Sequence, residues 1–218
     1  MPYFPFFVNI ENSPCLVVGG GVVALRKIEK LLPFKPLITV TATTAAEEIK
    51  AFAAKGLVNL EERPFCDDDI AGKAFVIAAT GDEGLNSRIS ELCKAQNILC
   101  NVVDSPENCT FYFPALVNKG DACIGISTAG KSPTLAGFLR KTIEDDIPVN
   151  TAQICDIMGG LRDIVLENIQ TEKARKEFMA NALQLCLELD DTALEKLSPE
   201  QLFDIIMISS EYSGNGVE

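Results

Sequence analysis

Apolar residues in the first hundred positions fall into short continuous runs separated by longer amphipathic stretches. Residues 15–18, 37–41, 57–60, 74–79 and 98–103 read as strands, and residues 7–10 carry a similar apolar signal. The run 74–79 has no polar interruption, as expected of a strand buried on both faces. Between the runs, residues 22–32, 45–55 and 84–96 read as helices; Pro33 and Pro36 stop the first and Gly56 closes the second. Strands alternating with helices predict an α/β fold with a doubly wound parallel sheet. The pattern then changes. Residues 110–117 and 122–127 read as strands joined by Asn118-Lys119-Gly120-Asp121, a hairpin turn rather than a helical crossover. Ser132-Pro133 opens a helix to about residue 144, with Ser at the cap and Pro in the first turn. From residue 151 onward only helical periodicity remains. Ile154, Ile157, Met158, Leu161, Ile164, Val165 and Ile169 share one face, Phe178, Ala182, Leu185 and Leu189 a second, and Ser198-Pro199 opens a third helix. Residues from 213 read as a disordered end.

The first strand runs into Gly19, Gly20 and Gly21, then Val22, Val23 and Ala24. Gly19, Gly21 and Ala24 fit the G-x-G-x-x-G/A pattern of a Rossmann-like sheet. One glycine makes the turn, the next admits a pyrophosphate to the backbone, and a small third residue lets the helix pack on the strand. Residues 19–23 are therefore the candidate dinucleotide-phosphate site. The acidic residue expected on the ribose ~20 positions later is missing. Val40-Thr-Ala-Thr-Thr44 stands there, so Thr43 and Thr44 are the candidate ribose contacts. No Arg stands in that stretch either, and the sequence itself does not choose between NAD and NADP.

Composition narrows the chemistry. With 47% apolar residues in 218 the chain can bury a substantial core, yet no run approaches the roughly 20 residues of a membrane span. The N-terminus has no basic n-region, so it is not read as a signal peptide and the expected location is the cytoplasm. A net charge of −12, with ten acidic and four basic residues after position 171, argues against nucleic acid as a partner. Eight cysteines without a C-x-x-C pair suggest reduced thiols rather than disulfides or a zinc site; no resident metal is expected. With no histidine in the chain, proton transfer falls to carboxylates, Lys, Tyr, Cys or water.

Four segments resemble the precorrin-2 dehydrogenase/sirohydrochlorin ferrochelatase family, the dehydrogenase–chelatase module of siroheme synthases. They are Phe6-Phe7 with Cys15-Leu-Val-Val-Gly-Gly-Gly-Val-Val-Ala-Leu-Arg-Lys27; Phe75-Val-Ile-Ala-Ala-Thr80 with Asn86; Asn101-Val-Val-Asp104 leading to Cys109-Thr-Phe-Tyr-Phe-Pro114; and Ile126-Ser-Thr-Ala-Gly-Lys-Ser-Pro-Thr-Leu-Ala136. The resemblance covers residues 3–145. It implies NAD as cofactor, with Thr80 among its contacts. It also implies oxidation of precorrin-2 to sirohydrochlorin and, in bifunctional members, insertion of ferrous iron as a second substrate. A homodimer is implied as well. The expected division is a Rossmann-like NAD domain over 1–109, a small β-plus-helix dimerisation unit over 110–147, and an all-helical region over 148–218.

Asp104 follows a predicted parallel strand at the edge where ligand crevices form. The family assigns the aspartate of this motif as general base; the competing role is to cap the turn at Ser105-Pro106. Asn101, Ser127, Thr128 and Lys131 are candidate substrate contacts. For Asn101 a plain structural hydrogen bond is an equal reading, and Ser132 caps its helix in any case. A polycarboxylate substrate asks for a basic crevice, with Lys119, Lys131, Arg140, Lys141, Arg26 and Lys27 as candidates. Two other readings stay open: a non-catalytic NAD-sensing module, and a dehydrogenase that does not chelate.

Overall fold

The computed structural model describes residues 4–214, with side chains as far as 208. It forms two compact units, the first ending at Phe113 and the second beginning at Pro114.

In the first unit five parallel strands, β1 (Pro14–Val18), β2 (Leu37–Ala42), β3 (Asn59–Glu62), β4 (Phe75–Ala78) and β5 (Leu99–Val102), are ordered β3-β2-β1-β4-β5. Every strand is joined to the next by a crossover, so all carboxyl ends share one edge of the sheet. The order reverses between β1 and β4, where a crevice must open. Helix α1 (Val22–Leu31) buries Ala24, Ile28 and Leu31 against one face with Val17, Val40 and Ile77. α2 (Glu47–Ala54) adds Ile49 to that layer. On the other face α3 (Glu83–Ala95) sets Ile89 and Cys93 against Leu16, Val76 and Val102. The alternating pattern in the sequence thus becomes a three-layer Rossmann-like fold.

Two segments depart from the pattern. Residues 7–10 are not a strand. Both neighbours of β1 are already taken by β2 and β4, and Phe6, Phe7 and Val8 stay exposed. The predicted strand 110–117 begins only at Ala115. Its first residues are held elsewhere. Thr110 accepts the Cys100 N–H at 2.7 Å and returns its own N–H to the Cys100 carbonyl at 2.8 Å. Phe111 packs edge-on against Phe75, with Phe113 tilted against it at 5.5 Å between ring centres. Pro114 then offers no N–H to a ladder.

In the second unit β6 (Ala115–Lys119) and β7 (Ala122–Ile126) form the expected antiparallel hairpin. Gly120, at φ +60°, makes its tight turn. Helix α4 (Pro133–Asp146) packs on this hairpin, its first turn capped by Ser132, whose hydroxyl accepts the Leu135 N–H at 3.2 Å. A helical core follows. α5 (Thr151–Asn168) contributes Ile154, Ile157, Leu161 and Val165, and α6 (Glu172–Glu188) Phe178, Ala182 and Cys186. α7 (Asp191–Lys196) adds Leu194, and α8 (Pro199–Gly214) adds Leu202 and Ile206. The helix α7 is too short for a periodic signal. α8 carries through Ser213 and Gly214, where the sequence suggested a disordered end; the rest of that end, 215–218, lies outside the described residues.

Candidate active site

The turn after β1 is built on three glycines that do three different things. Gly19 has φ +115°, and a Cβ there would meet the Ala79 carbonyl oxygen at 2.3 Å, so the turn is pressed against the end of β4. Gly20 is equally confined: a Cβ would lie 2.3 Å from the Thr44 oxygen and 2.7 Å from the Ala45 Cα. Gly21 faces open space, with nothing within 4 Å of a Cβ. It is the N-cap of α1 and has no side chain to satisfy the first-turn amides, which are left for an anion. Ala24, fully buried, is the small residue that lets α1 approach the sheet.

Around this turn lies a cleft of about 440 Å³ lined by Gly19, Gly20, Gly21, Thr43, Thr44 and Thr80, with Thr41, Arg63 and Asp82 among the other residues. Six of the sequence-chosen positions thus meet in one crevice, at the strand-order reversal. Val22 and Val23 open the adjoining helix and are exposed. Thr80 is tied down locally. Its hydroxyl donates to Asn86 Oδ1 at 2.7 Å, and Asn86 Nδ2 returns a bond to the Thr80 carbonyl at 3.1 Å. Sequence reasoning did not single out Thr41, whose Oγ is buried without a hydrogen-bond partner. It also did not single out Arg63, which reaches the cleft only because β3 pairs beside β2.

Asp104 stands just beyond β5 in a left-handed conformation, φ +58°, which a non-glycine residue adopts at a cost. Its side chain is exposed and makes no hydrogen bond among the described residues. It therefore does not cap the Ser105-Pro106 turn. That turn is organised by Ser105, Asn108 and Cys109: Asn108 Nδ2 donates to Ser105 Oγ at 2.9 Å, and the Cys109 thiol donates to the Val102 carbonyl at 3.2 Å. Burial raises the Cys109 pKa, keeping it a neutral thiol. Asn101 is buried; its amide nitrogen donates to the Phe111 carbonyl at 3.0 Å while its oxygen has no partner. Lys27, on α1, lies 4.2 Å above the Phe113 ring. Burial, then the neighbouring Lys30, lower its pKa, while Cys109 and Asp104 act to raise it. Lys27, Arg26 and Lys30, with Glu29 and Val23, line a second groove of about 370 Å³ along α1.

Ser127, Thr128 and Lys131 belong to the second unit, Asp104 and the cleft to the first. The Thr128 hydroxyl accepts the Ser132 N–H at 3.2 Å, and Ser127 Oγ accepts the Ala129 N–H at 3.1 Å. Lys131 is exposed with no ion pair among the described residues. No cluster of three or more His, Cys, Asp or Glu among the described residues could hold a metal ion.

A parallel sheet ordered 3-2-1-4-5, with a glycine cradle and free helix amides at the order reversal, defines a dinucleotide-binding protein of the Rossmann type. A family model described as "Putative NAD(P)-binding" matches residues 6–115, and the chain belongs to that family. It is 38% identical over 184 residues to a siroheme synthase of Thioalkalivibrio sulfidiphilus, covering 84% of this chain and 38% of that one. It is 34% identical over 209 residues to siroheme synthase 2 of Yersinia enterocolitica, covering 94% and 44%. The chain thus spans about two-fifths of the length of these relatives. Its fold is similar to that of a solved structure, "SirC, precorrin-2 dehydrogenase", with a TM-score of 0.71 at 22% identity over 94% of this chain and 99% of that one. The resemblance carried by the four motif segments is borne out by these relatives.

Proposed function

We propose that this chain oxidises precorrin-2 to sirohydrochlorin with NAD, in the formation of siroheme. The observation that carries the reading is Asp104. It is a carboxylate without a structural partner, held in a strained conformation at the ligand-binding edge of the sheet, in a chain with no histidine. The relatives supply the substrate class. NAD, when bound, accepts a hydride. The residues that would hold it are Gly19, Gly20, Gly21 and the first-turn amides of Val22 and Val23 at the pyrophosphate. Thr43 and Thr44 would take the ribose, and Thr80 the rim. Open space at Gly21 and the unpartnered Thr41 hydroxyl fit such a guest.

Asp104 takes the proton that must leave the macrocycle as the hydride departs. Asn101 fixes the segment returning past Asp104 through the Phe111 carbonyl, with its own side chain buried beneath the site. Ser127, Thr128 and Lys131 bind substrate carboxylates. The basic groove on α1 supplies positive charge that the chain as a whole lacks. Insertion of ferrous iron displaces two pyrrole protons, for which the same aspartate serves. We place the protein in the cytoplasm as a homodimer, with residues 110–147 as the pairing unit and 148–218 as a helical domain. No described helix is long and apolar enough to cross a membrane.

The test is Asp104→Asn. NADH formation with precorrin-2 should fall ~10²–10⁴-fold, with NAD affinity and melting temperature nearly unchanged. Wild-type turnover in this variant would refute the assignment. Metallation of sirohydrochlorin by ferrous ion, followed spectroscopically in the same variant, tells whether one base serves both reactions.

A further inference from the structure

One wall of the dinucleotide cleft carries a charge cluster that the glycine pattern does not announce. Arg63 lies one residue beyond β3 and lines the cleft with Thr43 and Thr44. The parallel register Ala42↔Glu62 carries it to the same edge as the end of β2. In Rossmann-type sheets that edge receives the adenosine ribose. Its guanidinium is already occupied. Nη1 donates to Asp69 Oδ2 at 2.9 Å and to the Pro64 carbonyl at 3.0 Å; Nη2 donates to Asp69 Oδ1 at 2.6 Å and to Glu61. Of the five donors an arginine has, only Nε–H remains. Asp69 is fixed in turn: its Oδ2 accepts the Cys66 N–H at 2.9 Å, and the bond from Arg63 holds its carboxyl below the usual range. Two carboxylates thus hold the one guanidinium that lines the cleft, and Lys73 acts on Asp69 as well.

We propose that the Glu61–Arg63–Asp69 cluster sets the choice of coenzyme, making the cleft accept NAD and reject its 2′-phosphorylated form. The inference rests on reading the cleft as the cofactor site. An unpaired arginine here would favour NADP, because a guanidinium grips a phosphate with two parallel N–H bonds. In this chain that gripping edge is filled by Asp69. A 2′-phosphate would have to displace a carboxylate to reach those donors. A ribose hydroxyl meets no such penalty.

Titration calorimetry with NAD and with NADP tests this on the full-length wild type and on Glu61→Gln, Asp69→Asn and Arg63→Ala. The wild type should bind NAD about tenfold or more tightly than NADP. Glu61→Gln and Asp69→Asn should each narrow that ratio by about tenfold, by weakening the hold on the guanidinium donors of Arg63. Arg63→Ala should leave the ratio as large or larger. Asp69 also anchors its own turn, so Glu61→Gln, on an exposed edge strand, keeps the test decisive if Asp69→Asn unfolds. Selective loss of NADP affinity in Arg63→Ala would make the arginine a phosphate ligand and overturn the inference. Equal wild-type affinities would overturn it while leaving the cofactor site in place. Binding of neither dinucleotide would overturn both.

Discussion

Three consecutive glycines look interchangeable in the sequence and are not so in the fold. At Gly20 a methyl group has nowhere to go, because the obstructing atoms are the backbone of residues 44 and 45. Gly20→Ala should therefore cost ~1–3 kcal/mol or more through overpacking, read as a lowered midpoint in urea. At Gly21 the backbone is extended, with φ −83° and ψ −175°, and open to solvent. Gly21→Asp should leave stability within ~0.5 kcal/mol, as surface changes usually do. It should nevertheless reduce NAD affinity by an order of magnitude or more in calorimetry, since a carboxylate would occupy the phosphate's place. Undiminished affinity in the folded variant would remove the turn from the site. The glycine spacing was legible because backbone proximity leaves few alternatives to glycine. Arg63 was not legible: its position depends on a strand pairing and its chemistry on Asp69, six residues away. Neither is visible at the end of β2, where the fingerprint looks for a ribose contact.

Among the elements, continuous apolar runs located the buried strands of the first sheet, and proline and serine located helix starts at residues 133 and 199. Apolarity alone misplaced residues 7–10, because strand identity also needs a vacant sheet edge. It overextended the strand at 110 because aromatic side chains there serve the first unit's core instead of a ladder. The hairpin β6–β7 is an isolated two-stranded sheet, marginal by itself. Helix α4, packed on it, exposes Leu135, Phe138 and Leu139, with 48%, 65% and 36% of their surfaces accessible. Their i, i+3, i+4 spacing makes one continuous apolar stripe. The proposed homodimer would cover that stripe with a second copy of the chain. Wild-type protein at micromolar concentration should scatter light with twice the mass of one chain. Phe138→Glu should scatter as a monomer while keeping its helical circular dichroism. A monomeric wild type would sink the homodimer.

On the scale of the whole molecule, two separate cores divide the proposed labour. The first unit contains the entire glycine cradle, the ribose wall and Asp104; the second contains Ser127, Thr128 and Lys131. In the proposed function, cofactor binding calls on the first unit alone, whereas the substrate contacts assigned to residues 127–131 belong to the second. Linkage turns this division into a measurement. A ligand that binds only the folded first unit stabilises it by RT ln(1 + [L]/Kd), ~2.7 kcal/mol at a hundredfold excess over Kd. Scanning calorimetry should resolve two transitions, and NAD should raise one of them while leaving the other in place. The Gly21→Asp variant should retain both transitions and lose the shift. A single transition moving as one body would show the two cores to be energetically joined. NAD would then stabilise the helical unit as well, and binding at the cradle would be coupled to the residues proposed to hold the substrate.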